Sequence, residues 1–183
     1  MRWTTFFSGA IVGICVTTPA LTFDGVNPCG PAATIVFSES APRDRVTIRN
    51  QSPEGWSVAA VTWALEGSAG DLIFDTIPGG AGYSVAQPFQ SSGGATLSHQ
   101  PGLADGDRTL DLVFSEFAPG ALYAFTIDLD DRISGQAGTM IEGGELTGAS
   151  LEVVFVRTDG RREALAGEFE TAATARVAAE CTS

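Results

Sequence analysis

Three carboxylates close an apolar stretch in the segment Phe125-Thr126-Ile127-Asp128-Leu129-Asp130-Asp131. Successive side chains of a β-strand point to opposite faces, so Asp128 and Asp130 share one face while the apolar residues share the other. Residues two apart on a strand lie roughly 6.5 Å apart, so both carboxylates can lean toward one cation, with Asp131 following. Oxygen ligands in this arrangement suit calcium. A half-buried strand with an acidic, solvated face explains the same residues, and both interpretations stay open here.

Further acidic residues are candidates to complete such a site from neighbouring loops. Asp105 and Asp107 flank a glycine, and Glu142 and Glu145 lie in a second glycine-containing segment. We predict a metal site made by Asp128, Asp130 and Asp131 with Asp105 and Asp107, and calcium as its ion.

Candidate catalytic groups are few. The sequence contains no Lys and one His, His99, in the loop-like segment Leu97-Ser98-His99-Gln100-Pro101. The lack of Lys excludes Schiff-base chemistry and a P-loop, and no G-x-S-x-G motif is present. A glycosidase needs two carboxylates across a cleft, which neighbours on one strand do not provide. We therefore predict a non-enzymatic protein with no catalytic residues.

Composition points away from nucleic acid as a partner. The formal net charge is −12, and residues 1–22 contain one Arg and no acid, so the remainder is more negative still. Such a surface repels nucleic acid and anionic lipid, and it favours divalent cations or basic partners.

The first 22 residues resemble a secretory signal peptide. Arg2 precedes a mostly apolar run from Phe6 to Val16, and Pro19 and small residues follow. This run is shorter than the roughly 20 residues that span a bilayer, and no later segment is long and apolar enough. We predict cleavage after Ala20 or Thr22, a secreted protein without a membrane span, and one mature domain over residues 23–183.

Two cysteines remain after such cleavage, Cys29 and Cys181, one near each end of the mature chain. In an exported protein an even pair predicts a disulfide. Two thiol metal ligands are the alternative, but the C-x-x-C spacing of such sites is missing.

Short apolar or alternating runs recur between turn residues, which predicts an all-β, single-domain antiparallel β-sandwich of jelly-roll-like type. Asp159-Gly160 predicts a hairpin turn. The Ala-rich segment from Glu170 to Glu180 is compatible with a helix or with a closing strand. The predicted strands are Thr34–Phe37, Arg45–Arg49, Ser57–Leu65, Asp71–Asp75, Leu110–Phe114, Leu122–Leu129, Leu151–Arg157 and Glu163–Phe169.

Two aromatic residues are candidates for glycan contact. Turn residues flank Trp56 and Tyr83, so either ring can be exposed and stack on a sugar, whereas Trp63 lies within a predicted strand and is assigned to the core. The nearby run Gly79-Gly80-Ala81-Gly82 partly matches a calcium-binding β-roll repeat, but with no second copy it is interpreted as a plain glycine turn.

Three segments in order resemble a known family. They are Ile48-Arg49-Asn50-Gln51-Ser52 with Gly55-Trp56-Ser57-Val58; Leu72-Ile73-Phe74-Asp75-Thr76 with Gly79-Gly80-Ala81-Gly82 and Gln87-Pro88-Phe89; and Asp105-Gly106-Asp107 through Phe117-Ala118-Pro119-Gly120 to Phe125-Thr126-Ile127-Asp128-Leu129-Asp130-Asp131. Over roughly residues 45–170 this order resembles bacterial secreted proteins similar to the core protein of the marine sponge aggregation factor. The resemblance implies an extracellular β-rich domain with calcium-dependent self-association.

Two functions follow as expectations. The first is a secreted structural or adhesive module that uses calcium in self-association or in contact with a surface or matrix. The second is a carbohydrate-binding module that uses Trp56 or Tyr83. Added calcium should change self-association in the first case, and sugar retention should be measurable in the second.

Overall fold

The computed structural model describes residues 25–40, 43–82, 86–132, 141–170 and 172–181. The described residues form a short 3-10 helix at Gly143–Leu146 and twelve strands. The strands are β1 (Ala32–Ser38), β2 (Asp44–Asn50), β3 (Trp56–Ala64), β4 (Ile73–Phe74), β5 (Gln90–Gly94), β6 (Thr96–Leu97), β7 (Thr109–Glu116), β8 (Leu122–Ile127), β9 (Leu129–Asp130), β10 (Ser150–Arg157), β11 (Arg162–Glu168) and β12 (Thr174–Ala178).

Two five-stranded antiparallel sheets pack face to face. Their strand orders are β12-β1-β2-β8-β5 and β11-β10-β3-β7-β6, and β4 pairs with β9 as a separate two-stranded sheet. The predicted all-β antiparallel sandwich is confirmed. The Ala-rich segment from Glu170 to Glu180, which was compatible with a helix or a strand, contains strand β12, which pairs with β1.

Alternation along the strands explains the packing. In β7, Leu110, Leu112 and Phe114 are buried while the residues between them are exposed. Their side chains enter a core shared by both sheets, where the ring of Trp63 lies 5.5 Å from Phe74 and 5.4 Å from Phe169. Strands with one apolar face each thus produce one continuous core.

One end of the sandwich, named here the Asp44 end, collects the start of β2 and the end of β8, since Asp44 pairs with Ile127. The second sheet contributes the end of β3, where Ala64 pairs with Ser150 and Thr109. A bridge between Phe169 and Ala175 joins the two sheets near this end.

The opposite end, named here the Arg157 end, contains the β10–β11 hairpin, because Arg157 pairs with Trp56 at the start of β3. The Asn50 amide ties the two sheets together there by donating hydrogen bonds to the carbonyls of Trp56 (3.3 Å) and Phe117 (3.0 Å).

A disulfide closes the Arg157 end. Cys29 and Cys181 are bonded, with Cα atoms 4.7 Å apart and a sequence separation of 152. The predicted pairing is confirmed, and it holds the segment before β1 against the segment after β12.

The predicted signal peptide, residues 1–22, lies outside the described residues. Within the part of the chain that the structure describes, no helix has both the length and the apolar character needed to cross a membrane.

Candidate metal site

Pairing of β4 with β9 brings distant carboxylates together at the Asp44 end. Phe74 pairs with Leu129 and Ile73 with Asp130, and the backbone N–H of Asp75 donates to the carbonyl of Asp128 at 3.1 Å. The apolar side chains of β4 are buried, which fixes the position of Asp75 directly after the strand.

The resulting cluster consists of Asp75, Asp128 and Asp130. One carboxylate oxygen from each residue lies within 4.8 Å of those of the other two. Asp75 and Asp130 are each only 2% exposed, and Asp128 is partly buried. Because Asp130 is buried, the alternative of a purely solvated acidic face does not describe this strand.

Asp75 carries a buried oxygen without a partner. Its Oδ1 makes no hydrogen bond, although the side chain is removed from solvent. A buried carboxylate oxygen costs free energy unless a donor or a cation satisfies it. This oxygen therefore marks a position for a positively charged ligand.

Burial and mutual repulsion raise the proton affinity of the cluster. Burial, reinforced by the charge of Asp130, raises the pKa of Asp75 to about 6 and that of Asp128 to about 7. Charging three close carboxylates at neutral pH is thus unfavourable in the absence of a cation, since like charges at this separation repel.

A fourth buried carboxylate, Asp44, borders the cluster. Burial is the main cause that raises its pKa to about 6, and the charges of Glu39 and Asp130 add to the effect. The backbone N–H of Ser40 donates to its Oδ1 at 3.4 Å. Asp44 therefore increases the negative potential at the cluster while accepting a hydrogen bond from the backbone.

The glycine turn lies against the cluster. A Cβ atom on Gly82 would collide with Asp130 Oδ2 and would lie 2.6 Å from the Cγ of Asp75. Only glycine allows the backbone to approach this closely, so the turn forms a wall of the site. The sequence interpretation gave this turn no role in metal binding, and the structure places it against the three-aspartate cluster.

Asp105 holds that turn in place. Its Oδ1 accepts from the backbone N–H of Thr76 (2.8 Å) and Ile77 (3.1 Å), and its Oδ2 accepts from that of Ala81 (2.6 Å). These backbone hydrogen bonds, Thr76 first, lower the pKa of Asp105. Asp105 also contacts the side chain of Asp75, so it supports the cluster by positioning the turn.

The other predicted ligands have different places. Asp107 Oδ2 accepts from the backbone N–H of Ala104 at 2.7 Å, which stabilises a loop. Asp131 is buried next to Asp130, but the three-carboxylate cluster of the described residues does not include it. Glu145 accepts from the backbone N–H of Glu142 at 2.8 Å in the 3-10 helix. Of the five predicted aspartates, the three-carboxylate cluster contains Asp128 and Asp130, and it adds Asp75.

Asp75 was not among the ligands predicted from the strand pattern. It stands alone after the short strand Ile73–Phe74, and only long-range pairing with β9 brings it to Asp130. The available signal was its position between a buried apolar strand and a glycine turn, a combination that commonly marks a functional loop.

Trp56, one of the two candidates for glycan contact, is buried. Trp56 is 5% exposed, and the guanidinium groups of Arg157 and Arg161 each lie 5.8 Å from its ring centroid. The ring therefore offers no open face for stacking on a sugar. Tyr83, the second predicted glycan contact, lies outside the described residues.

Comparison of this chain with protein-family models, with curated proteins and with solved structures finds no match.

Proposed function

We propose that this protein is a secreted, non-enzymatic structural module whose fold is completed by a calcium ion held by Asp75, Asp128 and Asp130, and which associates with itself in the presence of calcium. The observation that carries the proposal is the convergence of three carboxylates around the unpartnered Asp75 Oδ1. The arrangement supports cation binding because one ion satisfies that oxygen and offsets the repulsion among all three groups.

The donor set favours calcium among common cations. The cluster offers carboxylate oxygens alone, which suit hard cations, whereas zinc and copper sites commonly include imidazole or thiolate. Oxygens within 4.8 Å of one another are close enough to share one calcium ion, whose bonds to oxygen are about 2.4 Å long. Magnesium is held at about 2.1 Å and usually retains several waters, so it fits a three-carboxylate group less well.

Extracellular calcium is abundant enough for a modest site. Extracellular calcium modules commonly bind with dissociation constants of about 0.1 to 1 mM. A bound ion stabilises the folded state by mass action, and an ion with free coordination positions can also bridge two molecules. Self-association itself follows from the resemblance to the aggregation-factor proteins and is part of the proposal.

Two other functions have less support. A carbohydrate-binding module loses its first candidate platform because Trp56 is buried beneath two arginines. A glycosidase requires carboxylates about 5 to 9.5 Å apart on either side of a substrate, whereas these three converge on one point.

Light scattering of the secreted protein tests the proposal. We expect the weight-average mass to rise with 2 mM calcium, to fall again with EDTA and to stay constant in the Asp128→Asn/Asp130→Asn variant. Asp111→Asn is the matched control, because it removes one exposed charge on β7 while its Oδ1 can still accept the hydrogen bond from Thr62. A calcium-dependent rise in the mass of the double variant equal to that of the parent would refute the proposal.

A further inference from the structure

The two ends of the sandwich differ in charge. Carboxylates dominate the Asp44 end, where Asp75, Asp105, Asp128 and Asp130 lie together and two nearby arginines, Arg108 and Arg132, both pair with Asp71 at 2.8 and 4.0 Å. The Arg157 end has a near balance of arginines and acids: Arg49, Arg157, Arg161 and Arg162 with Glu54, Glu116, Asp159, Glu163 and Glu180. The acidic excess of the chain is therefore concentrated at one end.

The β10–β11 hairpin presents its arginines in a fixed arrangement. Arg157 and Arg161 lie over Trp56, which limits the orientations of both guanidinium groups. Their pairings with Asp159 (3.8 Å) and Glu163 (3.5 Å) are largely exposed to solvent and hold them weakly. Arg162 is exposed beside them. The hairpin is thus a preorganised basic projection at the Arg157 end.

Apolar surface is also distributed between the ends. A groove of about 420 Å³ opens at the Asp44 end beside the cation site, and its lining includes Ile77, Phe89 and Leu103. Ile77 is 57% exposed at its rim. At the Arg157 end the exposed apolar side chains are Val26 (60%) and Leu122 (38%). The groove and the exposed Val26 and Leu122 therefore lie at opposite ends of one copy and do not contact each other within it.

We propose that copies of this chain associate end to end, with the arginine hairpin of one copy facing the acidic Asp44 end of the next, and with exposed apolar side chains of the first entering the groove of the second. This inference rests on the self-association in the proposed function and specifies its geometry. The occupant of the groove is a second copy because the same chain carries the complementary charge and the apolar side chains at its other end.

An end-to-end contact has two physical consequences. The two surfaces are different, so the contact is heterologous and leaves a free surface on each outer copy, which permits chains longer than a dimer. Charge complementarity also makes association sensitive to ionic strength, because partly exposed charges are screened within about 8 Å at physiological salt.

Calcium acts on this contact through one loop, which borders both the cation site and the groove. Ile77 follows Asp75 by two residues, and its backbone N–H is held by Asp105. A cation at Asp75 fixes the loop that forms the groove rim, so calcium supports association without lying between the two copies.

Complementary variants test the geometry by sedimentation velocity in calcium. Ile77→Arg alters only the Asp44 end, and Arg161→Glu/Arg162→Glu alters only the Arg157 end; all three side chains are exposed, and thermal melts check that both variants fold. We expect each variant alone to associate at least 10-fold more weakly than the parent. An equimolar mixture should form heterodimers and stop there, since each variant retains one intact end. Arg45→Glu, an exposed charge reversal that makes the Asp44 end more acidic, is the control and should associate at least as strongly as the parent.

Three results would overturn the inference: parent-like association of either variant alone, a mixture that stays as weakly associated as its components, or a parent that is monomeric in calcium. Calorimetry on both variants reports separately on the cation site. If both variants bind calcium like the parent but their mixture associates no better than either alone, only the end-to-end geometry is wrong. If the parent itself binds no calcium, the proposed function is wrong.

Discussion

Asp75 places its buried side chain where no protein donor reaches its Oδ1. The neighbouring Asp128 and Asp130 add negative charge at the same point. Most buried carboxylates are stabilised by donors. Even the partly exposed Asp105 accepts hydrogen bonds from the N–H groups of the turn. The contrast between Asp105 and Asp75 separates a structural aspartate from a candidate ligand in the same loop region.

Proton binding should substitute in part for the cation. The pKa values of Asp44 and Asp75 are raised to about 6 and that of Asp128 to about 7, from 3.8. Between about pH 4 and pH 7 the folded, metal-free protein then binds more protons than the unfolded chain, so its stability falls as pH rises.

We expect the free energy of unfolding in EDTA to decrease by roughly 1 to 3 kcal/mol between pH 5 and pH 7.5, because one pKa unit corresponds to about 1.4 kcal/mol and coupled groups do not add fully. Calcium should reverse the decrease at pH 7.5 and have little effect at pH 5. Urea titrations at both pH values measure this free energy of unfolding. A free energy of unfolding in EDTA that rises with pH would show that repulsion among the carboxylates does not destabilise the folded protein.

At the scale of elements, the glycine turn and the β4–β9 pair make the site. Gly82→Ala introduces a methyl group against Asp130 and Asp75, with 2.6 Å to the Cγ of Asp75. We expect calcium affinity to fall by about 10-fold or more, as it does when the support of metal ligands is disturbed. Gly102→Ala is the matched control, since a Cβ there meets nothing within 4 Å. Calorimetry measures both affinities. Equal calcium affinities of the two variants would show that the turn does not contribute to the site.

Local sequence pattern predicted most elements. β2 alternates buried Val46 and Ile48 with more exposed residues, and the predicted strand Arg45–Arg49 differs from it by one residue at each end. Strand β5, Gln90–Gly94, escaped prediction because its Ser and Gly residues have low β propensity and it is exposed throughout. The predicted strand Leu122–Leu129 is interrupted at Asp128, where β8 ends and β9 begins.

The candidate site was predicted only in part, because a local sequence pattern does not contain long-range strand pairing. Asp128 and Asp130 lie on one strand segment, so alternation alone places them together. Asp75 reaches them through pairing of segments more than 50 residues apart, and no local pattern contains that information. Burial of Trp56 also depends on tertiary structure, because its cover comes from the distant β10–β11 hairpin.

For the whole molecule, the disulfide and the charge asymmetry act on stability and on assembly respectively. The bond between Cys29 and Cys181 closes a loop of 152 residues at the Arg157 end. In the chain-entropy model a loop of this length contributes about 5 kcal/mol by restricting the unfolded state.

Reduction should therefore destabilise the domain without changing its calcium stoichiometry. We expect Cys29→Ser/Cys181→Ser to lower the melting temperature by roughly 10 °C or more, given about 2 to 4 °C per kcal/mol at this size. Calorimetric scans of oxidised, reduced and variant protein measure the shift. Coinciding melting curves would mean that the sandwich alone holds the two ends of the domain together.

Isothermal titration of calcium into the metal-free protein shows whether Asp75, Asp128 and Asp130 together bind one cation. We expect one site per chain, undetectable binding in Asp75→Asn, and parent-like binding in the exposed control Asp111→Asn. Asp75→Asn should remain folded in thermal melts, because it removes a charge from a crowded cluster. If Asp75→Asn bound calcium with the affinity of the parent, the buried Oδ1 would have no part in holding an ion, and the three aspartates would not form a cation site.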